Sequence, residues 1–321
     1  MPKVIIHDAV DPAARALLET RDGMDIVTIE RDERERLRRE LADANSIILR
    51  YLPLDADDLR AAPNLKVVAR HGVGYDNIDM VAAVECGIPV ATIGDANSVT
   101  VAELAIYLML AAAKQGLVFD AAVRGGDWWQ VREAADTIEL YEKTVLVVGM
   151  GRIGSLVAPR CQAFGMDVRV CDPYIPQSDI SEAGFTPAAD FAAALPQADI
   201  VTLHTPLNDE TRHMIDAPAL ARMKNGALLV NTSRGPVVDG DALSAAVASG
   251  HIYAAGVDVF EEEPPALDSP LLGHANMVFT PHVGGLTREC FYRSAIVCAQ
   301  NSLDAIDGKL DKSFVVNPEV L

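Results

Sequence analysis

The sequence has little of what disulfide frameworks and metal centres require. Among its 321 residues are five cysteines. Cys86, Cys161, Cys171, Cys290 and Cys298 show neither a CxxC pair nor another spacing typical of metal ligands. An odd number of thiols without such spacing favours reduced cysteines in a cytoplasmic protein, so we expect no structural disulfide and no metal site.

Long apolar runs are also missing. No stretch reaches the roughly 18 consecutive apolar residues that a membrane-spanning helix needs. The N-terminus, MPKVIIHD, lacks the cationic start and long apolar segment of a secretory signal. We therefore expect no membrane partner and a cytoplasmic location.

Positive charge is scarce. Lys and Arg number 27 against 46 Asp and Glu, which gives a formal net charge of −19. The electrostatic field of a strongly negative protein repels phosphate backbones and anionic lipids. The densest basic stretch, residues 31–39, is interleaved with Asp32, Glu33 and Glu35, which is typical of a solvated helix face. We therefore expect no nucleic-acid partner.

Short apolar runs alternate with amphipathic segments along the chain. Its length favours two domains, and no polar or charged tract is long enough to indicate a sizeable disordered region. The alternation predicts an α/β fold with parallel sheets covered by helices. The predicted strands are residues 4–6, 26–29, 47–49, 67–69 and 89–91, then 145–148, 168–171, 200–203, 227–230, 254–257 and 277–279.

Two long helices are predicted. The most apolar candidate covers residues 97–114, and Thr100 with Glu103 has the spacing of a capping box at its start. The second covers about residues 287–306 and is expected to return to the first domain.

A glycine-rich turn between two predicted strands carries the clearest functional signal. Gly149, Gly151 and Gly154 form a GxGxxG pattern directly after one strand. The first glycine permits a tight turn, the second lets the backbone approach a pyrophosphate, and the third lets a helix pack closely on the sheet. Asp172 ends the next strand, where a carboxylate binds adenosine ribose hydroxyls and repels a 2′-phosphate. This βαβ unit predicts NAD rather than NADP.

Three further segments follow predicted strands and supply the groups that hydride chemistry needs. They are NTSRG at residues 231–235, GVDVFEEEP at 256–264 and TPHVGG at 280–285. Arg234 can bind a carboxylate through a bidentate fork and polarise a keto oxygen. His282 can exchange the hydroxyl proton near physiological pH, and Glu263 can orient the imidazole and favour its protonated form.

These segments together closely resemble the D-isomer-specific 2-hydroxyacid dehydrogenases, over nearly the whole chain from Ile47 onward. In that family the arginine, glutamate and histidine of the three motifs are catalytic, and they match Arg234, Glu263 and His282. The resemblance also implies cofactor contacts beyond Gly149, Gly151 and Gly154. It places them at Val73, Arg152, Ile153, Asp172, Thr205, Thr232, Ser233, Arg234, Asp258, His282, Gly284 and Gly285.

The family's architecture follows as a further expectation from the resemblance. A Rossmann-type NAD-binding domain, residues 98–285, would be inserted into a flavodoxin-like substrate-binding domain made of residues 1–97 and 286–321. A homodimer is implied, with Trp128 and Trp129 packed at the contact. The chain ends soon after the final helix, so we expect none of the regulatory domains of long phosphoglycerate dehydrogenases.

The substrate pocket is less defined. The family uses backbone amides of the loop Gly72, Val73 and Gly74 to hold the substrate carboxylate. Arg50 and Arg70 match arginines that bind phosphate in phosphoglycerate dehydrogenases, and both would otherwise lack a partner. His71 departs from those enzymes and is expected to narrow and charge the site. We therefore expect a small 2-hydroxy or 2-keto acid with a second anionic end, a phosphate, sulfonate or carboxylate; alternatively, both arginines form structural ion pairs.

Two other functions fit parts of this pattern. One is an NADPH-dependent glyoxylate or hydroxypyruvate reductase, against which Asp172 argues. The other is an NADH-sensing corepressor that resembles these dehydrogenases, against which the absence of disordered tails and basic segments argues. Formate dehydrogenases share the fold, but Glu263 and His282 would be idle in their chemistry.

Overall fold

A computed structural model describes all residues from Met1 to Leu321. The chain forms two compact units. The terminal unit comprises Met1–Asn97 and Gly285–Leu321, and the central unit comprises Ser98–Gly284. Each unit has its own parallel sheet with helices packed against it. The predicted α/β fold class, with a flavodoxin-like and a Rossmann-type sheet, is confirmed.

The terminal unit contains a five-stranded sheet in the order β2-β1-β3-β4-β5. Apolar side chains cover both faces, because these strands are buried on each side, as parallel strands usually are. The strands are β1 (Lys3–His7), β2 (Asp25–Ile29), β3 (Ser46–Leu49), β4 (Val67–Arg70) and β5 (Val90–Ala91). The helices are α1 (Pro12–Leu18), α2 (Arg34–Leu41), α3 (Ala56–Arg60), α4 (Met80–Glu85) and α13 (Arg288–Ile306).

The central unit contains a seven-stranded sheet in the order β12-β11-β10-β9-β6-β7-β8. The order reverses at β6, so a crevice opens between the loops after β6 and β9. The strands are β6 (Thr144–Val148), β7 (Asp167–Cys171), β8 (Thr186–Pro187), β9 (Ile200–Leu203), β10 (Ala227–Asn231), β11 (Ile252–Val257) and β12 (Val278–Phe279).

Helices cover this second sheet. Its core helix α5 packs on β10 and β11 with one side and on α8 with another, which explains its continuous apolar sequence. The helices are α5 (Ser98–Ala113), α6 (Gly116–Gly125), α7 (Trp128–Glu133), α8 (Gly154–Ala163), α9 (Gln177–Glu182), α10 (Phe191–Ala194), α11 (Ala217–Arg222) and α12 (Gly240–Ala248). Short 3-10 helices lie at Leu195–Gln197, Gly235–Val237, Pro270–Gly273, Lys312–Phe314 and Pro318–Val320.

Every predicted strand is present, and the final helix begins after Thr287, whose hydroxyl accepts a hydrogen bond from the Cys290 amide at 3.2 Å. Two details differ. Strand β8 was not predicted, because two residues ending in a proline form no apolar run. The capping box at Thr100 is wrong, because α5 begins at Ser98 and Thr100 is already its third residue.

No single helix has the length and apolar composition of a membrane span, although the bent pair α5 and α6 meets both criteria when taken together.

Candidate active site

The glycine turn after β6 has the geometry that its pattern predicts. Gly149 has a φ of 89°, and a Cβ there would lie 2.8 Å from the carbonyl oxygen of His204. A Cβ on Gly154 would lie 1.9 Å from the carbonyl oxygen of Gly149, so helix α8 can begin at this point only with glycine. A Cβ on Gly151 would meet nothing within 4 Å. The backbone at Gly151 is therefore open to the approach of a ligand.

Asp172 follows β7 and faces this turn. One carboxylate oxygen accepts a hydrogen bond from the amide of Met150 at 2.8 Å, and the other accepts one from the amide of Tyr174 at 2.9 Å. The acid is thus fixed at the edge of the glycine turn. Each carboxylate oxygen has a second lone pair with which it can accept a ligand hydroxyl.

Two buried threonine hydroxyls stand without partners on the same sheet edge. Thr205 follows β9 and Thr232 follows β10, and the Oγ1 atoms of both are buried and unbonded. Buried hydroxyls are almost always hydrogen-bonded in native proteins, by protein, water or ligand. With Arg152 and Ile153 in the turn and Ser233 beside Thr232, these residues fit a bound dinucleotide.

Glu263 and His282 form a hydrogen-bonded pair. The Oε2 atom of Glu263 lies 2.7 Å from Nδ1 of His282, and Oε1 accepts the amide of Phe260 at 3.0 Å. Burial alone would raise the pKa of Glu263, but the hydrogen bonds from His282 and Phe260, with the positive charge of Arg234, hold that pKa below its ordinary value. An ionised Glu263 can orient the imidazole.

The exposure of this pair suits chemistry on a ligand. The side chain of His282 is 49% exposed and that of Glu263 is 38% exposed, so Nε2 of the imidazole can reach a ligand. An apolar cavity of about 380 Å³ borders the pair, with Phe260, Leu272 and Phe279 in its wall. Apolar walls lower the local dielectric and strengthen charge interactions at the imidazole.

Arg234 lies between β10 and the loop that carries Glu263. Its Nη1 atom donates to the carbonyl oxygen of Ser233 at 2.7 Å. The next residue, Gly235, is pressed against that loop, because a Cβ there would lie 1.9 Å from the carbonyl carbon of Phe260. Glycine at this position lets the arginine segment and the glutamate loop approach closely.

Asp258 holds the segment that carries His282. Its carboxylate accepts hydrogen bonds from the Thr280 hydroxyl at 2.6 Å, the Val283 amide at 2.8 Å and the Gly284 amide at 3.0 Å. Burial raises the pKa of Asp258 despite these hydrogen bonds. The backbone oxygen of Asp258 also accepts the amide of His282, which adopts a φ of 52°.

Within the terminal unit, the predicted substrate-binding residues lie at or directly after the ends of the adjacent strands β3 and β4. Arg50 donates to the carbonyl oxygen of Ala9 at 2.7 Å, and its guanidinium stacks 4.5 Å from the ring centroid of Tyr51 and 4.9 Å from that of Phe291. The expectation that Arg50 and Arg70 would otherwise lack partners is therefore wrong, because Arg70 also has an interaction partner, although none of the groups that Arg50 contacts is a carboxylate.

The loop after β4 contains Gly72, Val73 and Gly74. A Cβ on Gly72 would lie 2.7 Å from Nη1 of Arg70, so glycine lets that guanidinium lie against the loop. The neighbouring His71 packs edge-on against Phe291, with ring centroids 5.3 Å apart, and its Nε2 is buried without a partner.

The expectation that His71 adds charge is wrong. Burial, with the nearby guanidinium groups of Arg50 and Arg70, lowers the pKa of His71 to about 4. The ring is therefore neutral at physiological pH, because desolvation disfavours the charged form.

A stability measurement tests this state of His71. Between pH 6.5 and about 4 the unfolded chain binds a proton at this residue and the folded chain does not, so folding stability falls as pH falls. We expect wild type to lose on the order of 3 kcal/mol more unfolding free energy than His71→Gln over this interval, since each pKa unit corresponds to about 1.4 kcal/mol. Urea unfolding at a series of pH values measures the difference. Equal losses in the two proteins would show that the ring is not held neutral.

Some contributors to the site were not predicted. Gly235 and Thr280 lie inside the predicted segments, next to residues that were predicted to be catalytic. Gly235 allows the close approach to Phe260, and the hydroxyl of Thr280 donates to the carboxylate of Asp258. Outside those segments, the hydroxyl of Tyr174 donates to Oε2 of Glu210 at 2.8 Å. No local pattern marks these contacts, because each joins loops that follow different strands.

Comparisons with known proteins show which family this chain resembles in sequence. Residues 106–284 match the family model described as "D-isomer specific 2-hydroxyacid dehydrogenase, NAD binding domain". The chain is 39% identical to D-3-phosphoglycerate dehydrogenase of Methanocaldococcus jannaschii over 100% of its own length, but it spans only 60% of that relative. It is 38% identical to hydroxypyruvate reductase of Thermotoga maritima, covering 92% of this chain and 95% of the relative.

A solved structure of a related enzyme has a similar fold. The crystal structure of D-lactate dehydrogenase from Aquifex aeolicus, in complex with NAD and lactic acid, matches with a TM-score of 0.87 and 29% identity. The match covers 98% of each chain. The similarity therefore extends over both units and not only over the dinucleotide-binding sheet.

Proposed function

Because the chain belongs to the family of D-isomer specific 2-hydroxyacid dehydrogenases, we propose that it transfers a hydride between NAD and C2 of a small 2-hydroxy or 2-keto acid. The observation that carries the proposal is the hydrogen bond of 2.7 Å between Glu263 and His282, beside the positive charge of Arg234. An oriented acid-base imidazole next to a fixed cation is what this chemistry requires of the protein.

Each residue has a separate task in this proposal. The nicotinamide, when bound, donates or accepts the hydride. Arg234 binds the substrate carboxylate and polarises the C2 oxygen. His282 gives a proton to that oxygen when the keto acid is reduced and removes it when the hydroxy acid is oxidised. Glu263 is a positioning residue that holds the imidazole through Nδ1 and stabilises its protonated form.

The same proposal selects NAD over NADP. Support comes from Asp172, which is fixed by the Met150 and Tyr174 amides at the end of β7. A carboxylate there accepts hydrogen bonds from ribose hydroxyls and repels a 2′-phosphate. The competing assignment, an NADPH-dependent glyoxylate or hydroxypyruvate reductase, requires this repulsion to be absent.

Neutralising Asp172 tests the cofactor preference. We expect Asp172→Asn to raise the ratio of kcat/KM with NADPH to kcat/KM with NADH by about 10- to 100-fold, since a hydrogen bond to a charged group contributes about 1.5–3 kcal/mol. Steady-state kinetics with both cofactors measures the ratio. Asp179→Asn, on the exposed surface of α9, is the matched control and should leave it unchanged. A wild-type preference for NADPH would contradict the proposal.

We further propose that the substrate carries a second anionic end, a phosphate, sulfonate or carboxylate. Support comes from Arg50 and Arg70, which leave adjacent parallel strands at the same edge of the sheet. Arg50 contacts a carbonyl and two rings, and the carboxylate of Asp8 interacts with it electrostatically without a direct contact. The neutral imidazole of His71 adds an unbonded Nε2 that can hydrogen-bond a ligand.

An NADH oxidation screen tests the reaction and the substrate class together. The acids are hydroxypyruvate, phosphohydroxypyruvate, sulfopyruvate, oxaloacetate, pyruvate and glyoxylate. We expect the highest kcat/KM with an acid that has a second anionic group. Activity only with pyruvate or glyoxylate would overturn the proposal that the substrate carries a second anionic group. If none of the 2-keto acids led to NADH oxidation, the proposed reaction would be overturned.

We also propose a homodimer with Trp128 and Trp129 at its contact. These side chains are 52% and 70% exposed, and Leu117 and Val123 on the preceding helix are also exposed. Exposed apolar side chains concentrated on α6 and α7 are the composition that a subunit contact covers.

A further inference from the structure

The loops after β7 and β9 meet above the glycine turn of the central unit. In the sheet, β6 lies between these two strands, so a contact between their loops crosses the carboxyl end of β6. The contact is the hydrogen bond of 2.8 Å from the Tyr174 hydroxyl to Oε2 of Glu210. The amide of Tyr174 also donates to the carboxylate of Asp172 at 2.9 Å. One tyrosine therefore links two carboxylates beside the glycine turn.

Glu210 is held in a preordered loop. The side-chain oxygen of Asn208 accepts the amides of Glu210 and Thr211, each at 3.0 Å. The Thr211 hydroxyl donates to the carbonyl oxygen of Pro206 at 2.7 Å, which closes the loop on itself. Such asparagine turns fix the backbone locally. The position of Glu210 therefore does not depend on the tyrosine alone.

The charges in this cluster have one sign. The hydrogen bond to Glu210 raises the pKa of Tyr174, and the negative charges of Glu210 and Asp172 act in the same direction. The phenol therefore stays protonated and donates. Glu210 and Asp172 are both negatively charged, and both carboxylates act on the same phenol.

We propose that Glu210 is a second cofactor-specificity residue, which acts with Asp172 to exclude dinucleotides that carry a 2′-phosphate. The inference rests on the proposed binding of NAD. Asp172 recognises the ribose hydroxyls directly, whereas Glu210 acts through its charge from across the crevice. A 2′-phosphate carries nearly two negative charges and meets repulsion from both loops.

The size of the effect follows from Coulomb's law. In a solvated site, a phosphate dianion several ångströms from one carboxylate is repelled enough to weaken binding by about 3- to 10-fold. Salt screens interactions over about 8 Å at physiological ionic strength, so the effect should shrink in high salt. Dependence on salt separates this role from a purely structural one.

Calorimetric titration with NADH and NADPH tests the proposal without any need for turnover. Glu210→Gln keeps an acceptor for the Tyr174 hydroxyl and removes the charge. We expect this variant to bind NADPH about 3- to 10-fold more tightly than wild type at low salt, with NADH affinity unchanged and the gain reduced at high salt. We expect the double variant, Glu210→Gln with Asp172→Asn, to gain more affinity for NADPH than either single variant.

Glu182→Gln, at the exposed end of α9, controls for a general loss of negative charge. The proposal is overturned if Glu210→Gln leaves the affinity for NADPH unchanged, if Glu182→Gln gives the same gain, or if high salt leaves the gain intact. These outcomes concern binding alone. Failure of the proposed reaction would appear instead as the absence of 2-keto acid reduction.

Discussion

Replacing His282 by glutamine is expected to lower kcat for 2-keto acid reduction by about 10²- to 10⁴-fold, the contribution of a positioned acid-base group. Glutamine can still hydrogen-bond Glu263, but it cannot give up and regain a proton at physiological pH. Steady-state kinetics with saturating NADH measures the loss. The NADH affinity and the circular dichroism spectrum of the variant report separately on cofactor binding and folding.

Glu263→Gln is the informative companion to this variant. It retains His282 but replaces the negatively charged carboxylate that accepts the hydrogen bond from Nδ1–H by a neutral amide. We expect a smaller loss of kcat than for His282→Gln. We also expect the rate of keto-acid reduction to begin its decline at a lower pH than in wild type. If His282→Gln retained wild-type kcat, or Glu263→Gln changed the rate without changing the pH profile, the assigned proton transfer would be contradicted.

Replacing Arg234 by lysine is expected to lower kcat/KM by about 10²- to 10³-fold, the range found when a charge-stabilising donor is removed from an active site. Lysine keeps the charge but loses the bidentate fork that matches a carboxylate. The loss should appear in both KM and kcat, because Arg234 is proposed to bind the carboxylate and to polarise the keto oxygen. Titration with the keto acid and kinetics measure both parts.

Arg222→Lys provides the matched control for this prediction. Arg222 ends helix α11 on the exposed surface of the same unit. We expect its kinetic constants to equal those of wild type. Equal activity of Arg234→Lys and Arg222→Lys would show that no bidentate contact is made at residue 234.

The sheets could be predicted because local apolar runs mark buried parallel strands. The run at residues 145–148 with the following glycines needed only short-range information, and the structure shows the same turn. Strand β8 carries no such signal, because it pairs through only Arg169 and Val170 of β7. The start of α5 was predicted to within one residue, but its capping residue was misassigned because capping chemistry repeats at several polar residues before an apolar run.

Residues of the candidate site could be predicted from the sequence only where they belong to a recognisable motif. Glu263 and His282 stand in motifs, and their hydrogen bond follows from strands β11 and β12 being neighbours. The close approach of Gly235 to Phe260 joins two loops and has no local signature. The charge of His71 was misjudged because desolvation depends on burial and on neighbours from other strands, which composition does not reveal.

Deuterium transfer from NADH to the substrate tests whether the protein catalyses the proposed hydride transfer. The chain would be incubated with NADH deuterated at the reactive C4 position and the best keto acid from the screen, and the product examined by NMR. We expect one deuterium on C2 of the hydroxy acid, and about 10²- to 10⁴-fold less of this product from His282→Gln in the same time. A product with solvent hydrogen at C2, or NADH oxidation without a hydroxy acid, would contradict the proposed hydride transfer.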